Sequence, residues 1–80
     1  MESIKKDDKV LLELTKEEAI VLLEWLFRFN EGEKSNLFQD QAEERVLWDM
    51  EASLEKVIPE TFDSKYAETL SKARGKVRDL

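Results

Sequence analysis

Thr15-Lys16-Glu17-Glu18-Ala19-Ile20-Val21-Leu22-Leu23-Glu24-Trp25-Leu26-Phe27-Arg28-Phe29-Asn30 is the stretch that decides the fold. Thr15 followed three residues later by Glu18 fits a capping box, in which each side chain bonds the other residue's backbone amide. Glu17 and Glu18 also suit the positive end of the helix dipole. At about 100° per residue, Leu22, Trp25, Leu26 and Phe29 form one face. Leu23, Ile20 and Phe27 extend it round one side and Val21 flanks the other, while Glu17, Glu24, Arg28 and Glu31 share the polar strip. A helix that is apolar round most of its circumference is a buried one. This helix, expected over about residues 16–30 with Gly32 helping to stop it, is therefore placed at the centre of its domain.

Toward the N-terminus, Lys9-Val10-Leu11-Leu12-Glu13-Leu14 alternates at Val10, Leu12 and Leu14 as a half-buried extended segment would. Residues 1–8, charged and small polar groups for the most part, are expected to be a frayed tail. Toward the C-terminus, Glu31 to Asn36 is polar and predicts a loop. A second helix is expected after Asp40, over about 41–57, with Leu37 and Phe38 packing back on the core; a start nearer Asn36 is the alternative. Pro59 cannot continue it and pushes Ile58 out of helical geometry. A third helix, about 64–78, is expected to be capped by Asp63 or Ser64. In it Tyr66, Leu70, Ala73, Val77 and Leu80 make one apolar stripe, and Lys72, Arg74, Lys76 and Arg78 favour its negative end. The expected fold is all-α: a single three-helix domain over 9–80, with a central apolar helix 1 and a short extended N-terminal segment.

With 80 residues the chain makes one domain with a thin core. Small domains of this kind lean on disulfides, metals or a second chain. The sequence contains no cysteine and no histidine. Disulfides, thiolate zinc sites and serine–histidine or cysteine–histidine catalysis are thereby excluded, and of the usual supports a second chain remains. The net charge of -6 opposes nucleic-acid binding. Hydrophobic residues make up 41% of the chain, too many for disorder. No apolar run reaches the 20 or so residues a membrane span needs, and no signal-peptide pattern opens the chain. A cytoplasmic protein, bacterial or otherwise from a reducing compartment, is the simplest expectation.

Two isolated glycines cannot build a phosphate-binding loop, and no small-molecule or cofactor motif is present. The remaining chemistry is carboxylate chemistry. Glu43, Glu44, Glu51 and Glu55 could hold magnesium if a facing helix supplied further acids. The E-E-x-x-E spacing of helical pyrophosphatases fails, because Leu47 stands where the third acid belongs. Solvated faces with Glu–Arg pairs such as Glu24 with Arg28 account for these acids.

Partner binding is better supplied. Helix 1 carries more apolar surface than two neighbours easily cover. Either it is simply the core helix, covered by helices 2 and 3 and by Val10 to Leu14, or part of the surplus, Ile20 and Phe27 above all, is buried by a second chain. Trp48 falls on the polar side of helix 2 with Glu44 and Glu55, as an interface tryptophan would. The alternative is that the chain's own Leu37-Phe38 or N-terminal segment covers it. Residues 36–58 hold six acids against two bases, so that helix suits a basic partner.

Leu14-Thr15-Lys16-Glu17-Glu18-Ala19, Val21-Leu22-Leu23, Asp40-Gln41-Ala42-Glu43-Glu44-Arg45-Val46-Leu47-Trp48 and Leu54-Glu55 together resemble a family of small uncharacterised bacterial all-helical proteins. The resemblance spans roughly residues 10–80 and implies a bacterial origin and a small helical domain. It carries no activity and no site residues. The functional expectation is a non-catalytic protein–protein interaction module, possible as a homodimer, with no cofactor, metal or small-molecule ligand. The alternatives are an immunity- or antitoxin-like acidic inhibitor of a basic partner, and a carboxylate–magnesium hydrolase assembled across a dimer.

Overall fold

In the computed structural model, which describes residues 1–32 and 36–79, the capping box closes in both directions. The Glu18 amide donates to the Thr15 hydroxyl at 3.1 Å, and the Thr15 amide donates to the Glu18 carboxylate at 2.8 Å. That backbone bond, with the Met1 amine 3.6 Å away, holds the Glu18 carboxyl below the usual range. Helix α1 follows over Lys16–Glu31. It ends at Gly32, whose amide reaches the Phe29 carbonyl at 3.3 Å from an extended backbone, φ -82° and ψ 169°. The left-handed turn for which glycine is usually chosen at such a stop is not used here.

Helix α2 spans Gln41–Val57, as its cap predicts. The Asp40 carboxylate accepts the Ala42 amide at 2.7 Å, and Glu43 reaches back to the Gln39 amide at 3.0 Å. Pro59 ends the run by opening a 3-10 turn over Pro59–Phe62, an element the sequence did not announce. Helix α3 covers Tyr66–Arg78 and begins two residues later than expected. Asp63 is not its cap: its carboxylate accepts the Lys65 amide at 2.9 Å and so shapes the turn ahead of the helix. Residues 33–35 of the expected loop and Leu80 of the expected stripe lie outside the described residues.

The N-terminal segment departs most from expectation. The expected frayed tail contains strand β1, Glu2–Lys6, which pairs antiparallel with β2, Lys9–Glu13. The fold is thus mostly helical with a two-stranded sheet, not all-α. Asp7 and Asp8 make the turn, and Asp7 adopts φ 55°. Aspartate tolerates that left-handed region better than most residues. The register sets Glu2 opposite Glu13, Ile4 opposite Leu11, Lys5 opposite Val10 and Lys6 opposite Lys9. All ten strand residues are exposed, and among the described residues neither strand backs onto a helix. Val10 and Leu12 alternate as expected but are not half-buried. Of that series Leu14 alone packs on the core.

The core is small. Ala19, Ile20, Leu23 and Leu26 of α1 are buried with Ile58 and with Leu70 and Ala73 of α3. Helix α1 packs against both α2 and α3, which do not approach each other among the described residues. Two polar struts set the spacing. Asn30 Nδ2 donates to Glu51 Oε1 of α2 at 2.6 Å, and the Tyr66 hydroxyl of α3 donates to Glu24 Oε1 at 2.8 Å. Arg28 flanks the same Glu24 at 3.7 Å.

Two consequences can be measured. Leu23→Ala empties a fully buried site and is expected to cost about 2–5 kcal/mol, which urea unfolding followed by circular dichroism reads directly. The second concerns pH. Burial, then the bond to Glu24 and its negative charge, push the Tyr66 pKa up to about 12. The folded state favours the neutral phenol, so its contribution is complete below the ordinary tyrosine pKa of about 10. It is lost as pH rises toward the folded value. Tyr66→Phe is expected to be less stable at neutral pH by roughly 1 kcal/mol. The gap between the two proteins should close as urea midpoints are followed from pH 9 to 12.

Candidate interaction surface

The chain buries little of what it carries. Its accessible surface is 6565 Å², against about 5,000 Å² for a compact folded chain of this mass. Its radius of gyration is 14.1 Å, against about 12 Å for a compact domain of this length. The surplus of area, about 1,500 Å², exceeds the roughly 800 Å² that each partner gives to an ordinary protein–protein interface. Much of it is apolar: Ile4, Val10, Leu11 and Leu12 on the hairpin, Trp25 on α1, Leu37 before α2, and Val46, Trp48 and Val57 on α2 are all exposed.

Helix α1 has its surplus on a different side from the one expected. Ile20, assigned to a partner by its sequence position, is only 2% exposed and belongs to the core. Phe27 is half-buried and packs against that core. Both face α3 and the Ile58 corner because the buried face is Ala19, Ile20, Leu23 and Leu26, not Leu22, Trp25, Leu26 and Phe29. Trp25 lies about 160° round the helix from Leu23 and is 44% exposed. It stacks on Phe29 at 4.7 Å, and Phe29 meets Phe38 edge-on at 6.0 Å. Phe38 thus packs back as expected, while Leu37 stays exposed.

On α2, Trp48 is 50% exposed, so no segment of the chain covers it fully. It lines a shallow cleft of about 410 Å³ with Asp40, Gln41, Ala42, Glu44 and Arg45. Glu44 and Glu55 lie one turn before and two turns after it, both half-buried. The structure therefore brings Trp48 and Glu44 together, sets Glu55 further along the same side, and takes Ile20 and Phe27 away. Sequence reasoning missed the hairpin residues and Trp25. Asp7-Asp8 lacks the glycine that normally flags a two-residue turn, and Trp25 sits within an unbroken apolar run.

Two of the four acids weighed for magnesium are engaged locally. Glu43 holds the Gln39 amide and Glu51 holds Asn30. Among the described residues no three acidic side chains converge as a metal site requires. No described helix is long and apolar enough to cross a membrane. No protein-family model, curated protein or solved structure matches this chain.

The two exposed tryptophans, Trp25 of α1 and Trp48 of α2, should separate on truncation. Trp48→Ala is expected to change unfolding free energy by less than about 1 kcal/mol, as surface substitutions do. Trp25→Ala should cost visibly more, because it removes the stack on Phe29. Urea unfolding of the two variants at low protein concentration makes the comparison.

Proposed function

We propose that this chain is a non-catalytic protein–protein interaction module that acts as a homodimer in a bacterial cytoplasm. The observation behind this reading is the exposed area, which exceeds that of a compact chain by more than one ordinary interface. Two-fold homodimers are the commonest arrangement that covers such a surface. In this reading α1 is the central apolar element of the subunit, supported by its packing on both α2 and α3 and by its four buried side chains. The likeness to small bacterial helical proteins belongs to the same proposal.

A second reading has one observation of its own: an exposed tryptophan beside Glu44 on a strongly acidic helix. That combination fits a basic protein partner, as an immunity-like inhibitor would have. Charge complementarity would speed encounter and the indole would anchor it.

Sedimentation equilibrium tests the first reading. A mass of two chains is expected at tens of micromolar. A single-chain mass persisting at several hundred micromolar would remove the homodimer. Where Trp48 serves a different partner, Trp48→Ala leaves the dimer mass unchanged.

A further inference from the structure

The hairpin is badly arranged for a strand pair on its own. Two-stranded sheets are at best marginal in water, and among the described residues this one lies against no helix. Its outermost cross-strand pairs are Glu2 with Glu13 and Lys6 with Lys9. Like charges directly opposite each other weaken a sheet. Its apolar side chains point to both faces, Ile4 and Leu11 to one and Val10 and Leu12 to the other, and all are exposed.

We propose that two copies of this chain join edge to edge through β2, forming a four-stranded antiparallel sheet ordered β1-β2-β2-β1 with the two Leu11 residues facing each other on the two-fold axis. The proposal rests on the homodimer reading and names its seam.

The backbone permits this register. A two-residue turn makes Lys6 and Lys9, which flank it, a hydrogen-bonded pair. The alternation of an antiparallel ladder then points the backbone groups of Leu11 toward β1 and those of Val10 and Leu12 outward. With Leu11 on the axis, Val10 of one copy faces Leu12 of the other, and these residues carry the free donors and acceptors. Lys9 then faces Glu13 across the seam at both ends. Lys9 and Glu13, each of which meets its like within the hairpin, gain an opposite charge from the second copy. Moving the axis to Val10 or Leu12 keeps the hydrogen bonds but sets Lys9 or Glu13 against leucine. On one face Ile4, Leu11, Leu11 and Ile4 become a continuous apolar row across four strands. The outer edge of β1 has the same symmetry about Ile4, with Ile4 facing Ile4 and Glu2 facing Lys6, but on the other face Ser3 would meet Lys5 where the β2 seam brings Val10 to Leu12.

The charge pattern supplies the test, using the full chain and sedimentation equilibrium. Glu13→Lys and Lys9→Glu each relieve a like-charge pair inside the hairpin, so neither should weaken the hairpin itself. Across the seam each creates two like-charge pairs, and self-association should fall about tenfold or more. The double variant Lys9→Glu/Glu13→Lys restores opposite pairs in both places, and association should return to within about threefold of wild type. The chain has no cysteine, which allows a second readout. Facing Cα atoms at such a non-hydrogen-bonded position are about 4.5 Å apart, within disulfide reach. Leu11→Cys should therefore cross-link to its own copy on mild oxidation, and Ile4→Cys should not. A wild-type dimer with unaffected single variants and no Leu11→Cys cross-link would overturn the seam but leave the homodimer standing. Cross-linking through Ile4→Cys would move the seam to β1. A wild-type monomer would end both proposals.

Discussion

Leu23 and Leu26 are fully shielded from water because α1 has α2 on one side and α3 on the other. That packing is what the other two helices depend on. Helix α2 has no buried residue and presents only half-buried side chains such as Leu47, Met50 and Leu54. Helix α3 buries Leu70 and Ala73, a narrow strip. Neither helix has another helix to turn to, since they do not meet among the described residues. Folding of an 80-residue chain buries a smaller share of its surface than folding of a larger one. Here the layout reduces that share further, and Asn30–Glu51 and Tyr66–Glu24 hold the spacing where apolar contact is sparse.

The helices were legible wherever local chemistry sets a boundary. Thr15 with Glu18, and Asp40 with Glu43, fix two helix starts through side-chain bonds that span at most four residues, and Pro59 fixes an end by lacking an amide hydrogen. What was not legible depends on contacts distant in sequence. Helix 1 is apolar on so many sides that periodicity could not choose its buried face. The position of α3 chose it, turning Ile20 inward and Trp25 outward. The hairpin was illegible for another reason. Ile4 is the only large apolar residue between Met1 and Val10, so β1 shows almost no alternation, and its pairing is carried by β2.

A thin core and a wide apolar surface are one fact seen from two sides. The sequence devotes 41% of its residues to hydrophobic types, and among the described residues the subunit fold buries seven of them. Single exposed leucines need no explanation. A hairpin apolar on both faces, a stacked Trp25–Phe29 pair and a half-exposed Trp48 in one small chain do, because burying them is worth roughly 25 cal/mol per Å². The aromatic patches lie on helices and fit a partner of any backbone geometry. The hairpin differs in offering backbone hydrogen bonds as well as side chains, which makes its choice of partner strand the more restrictive.

An exposed sheet edge endangers solubility, since an unpaired strand can template another. The charges on these strands bear on which pairings can follow. If β2 of one copy met β1 of the next in the hairpin's own register, Lys9 would face Lys6 and Glu13 would face Glu2, and both ends would repel. Such head-to-tail pairing leaves a free edge at each step and grows without limit. If β2 meets β2 about a two-fold axis, Lys9 faces Glu13 at both ends and β2 is used up in both copies. A parallel approach of two β2 strands would return lysine to lysine. The like-charge pairs that weaken the lone hairpin thus oppose head-to-tail stacking and favour the two-fold pairing of β2 with β2.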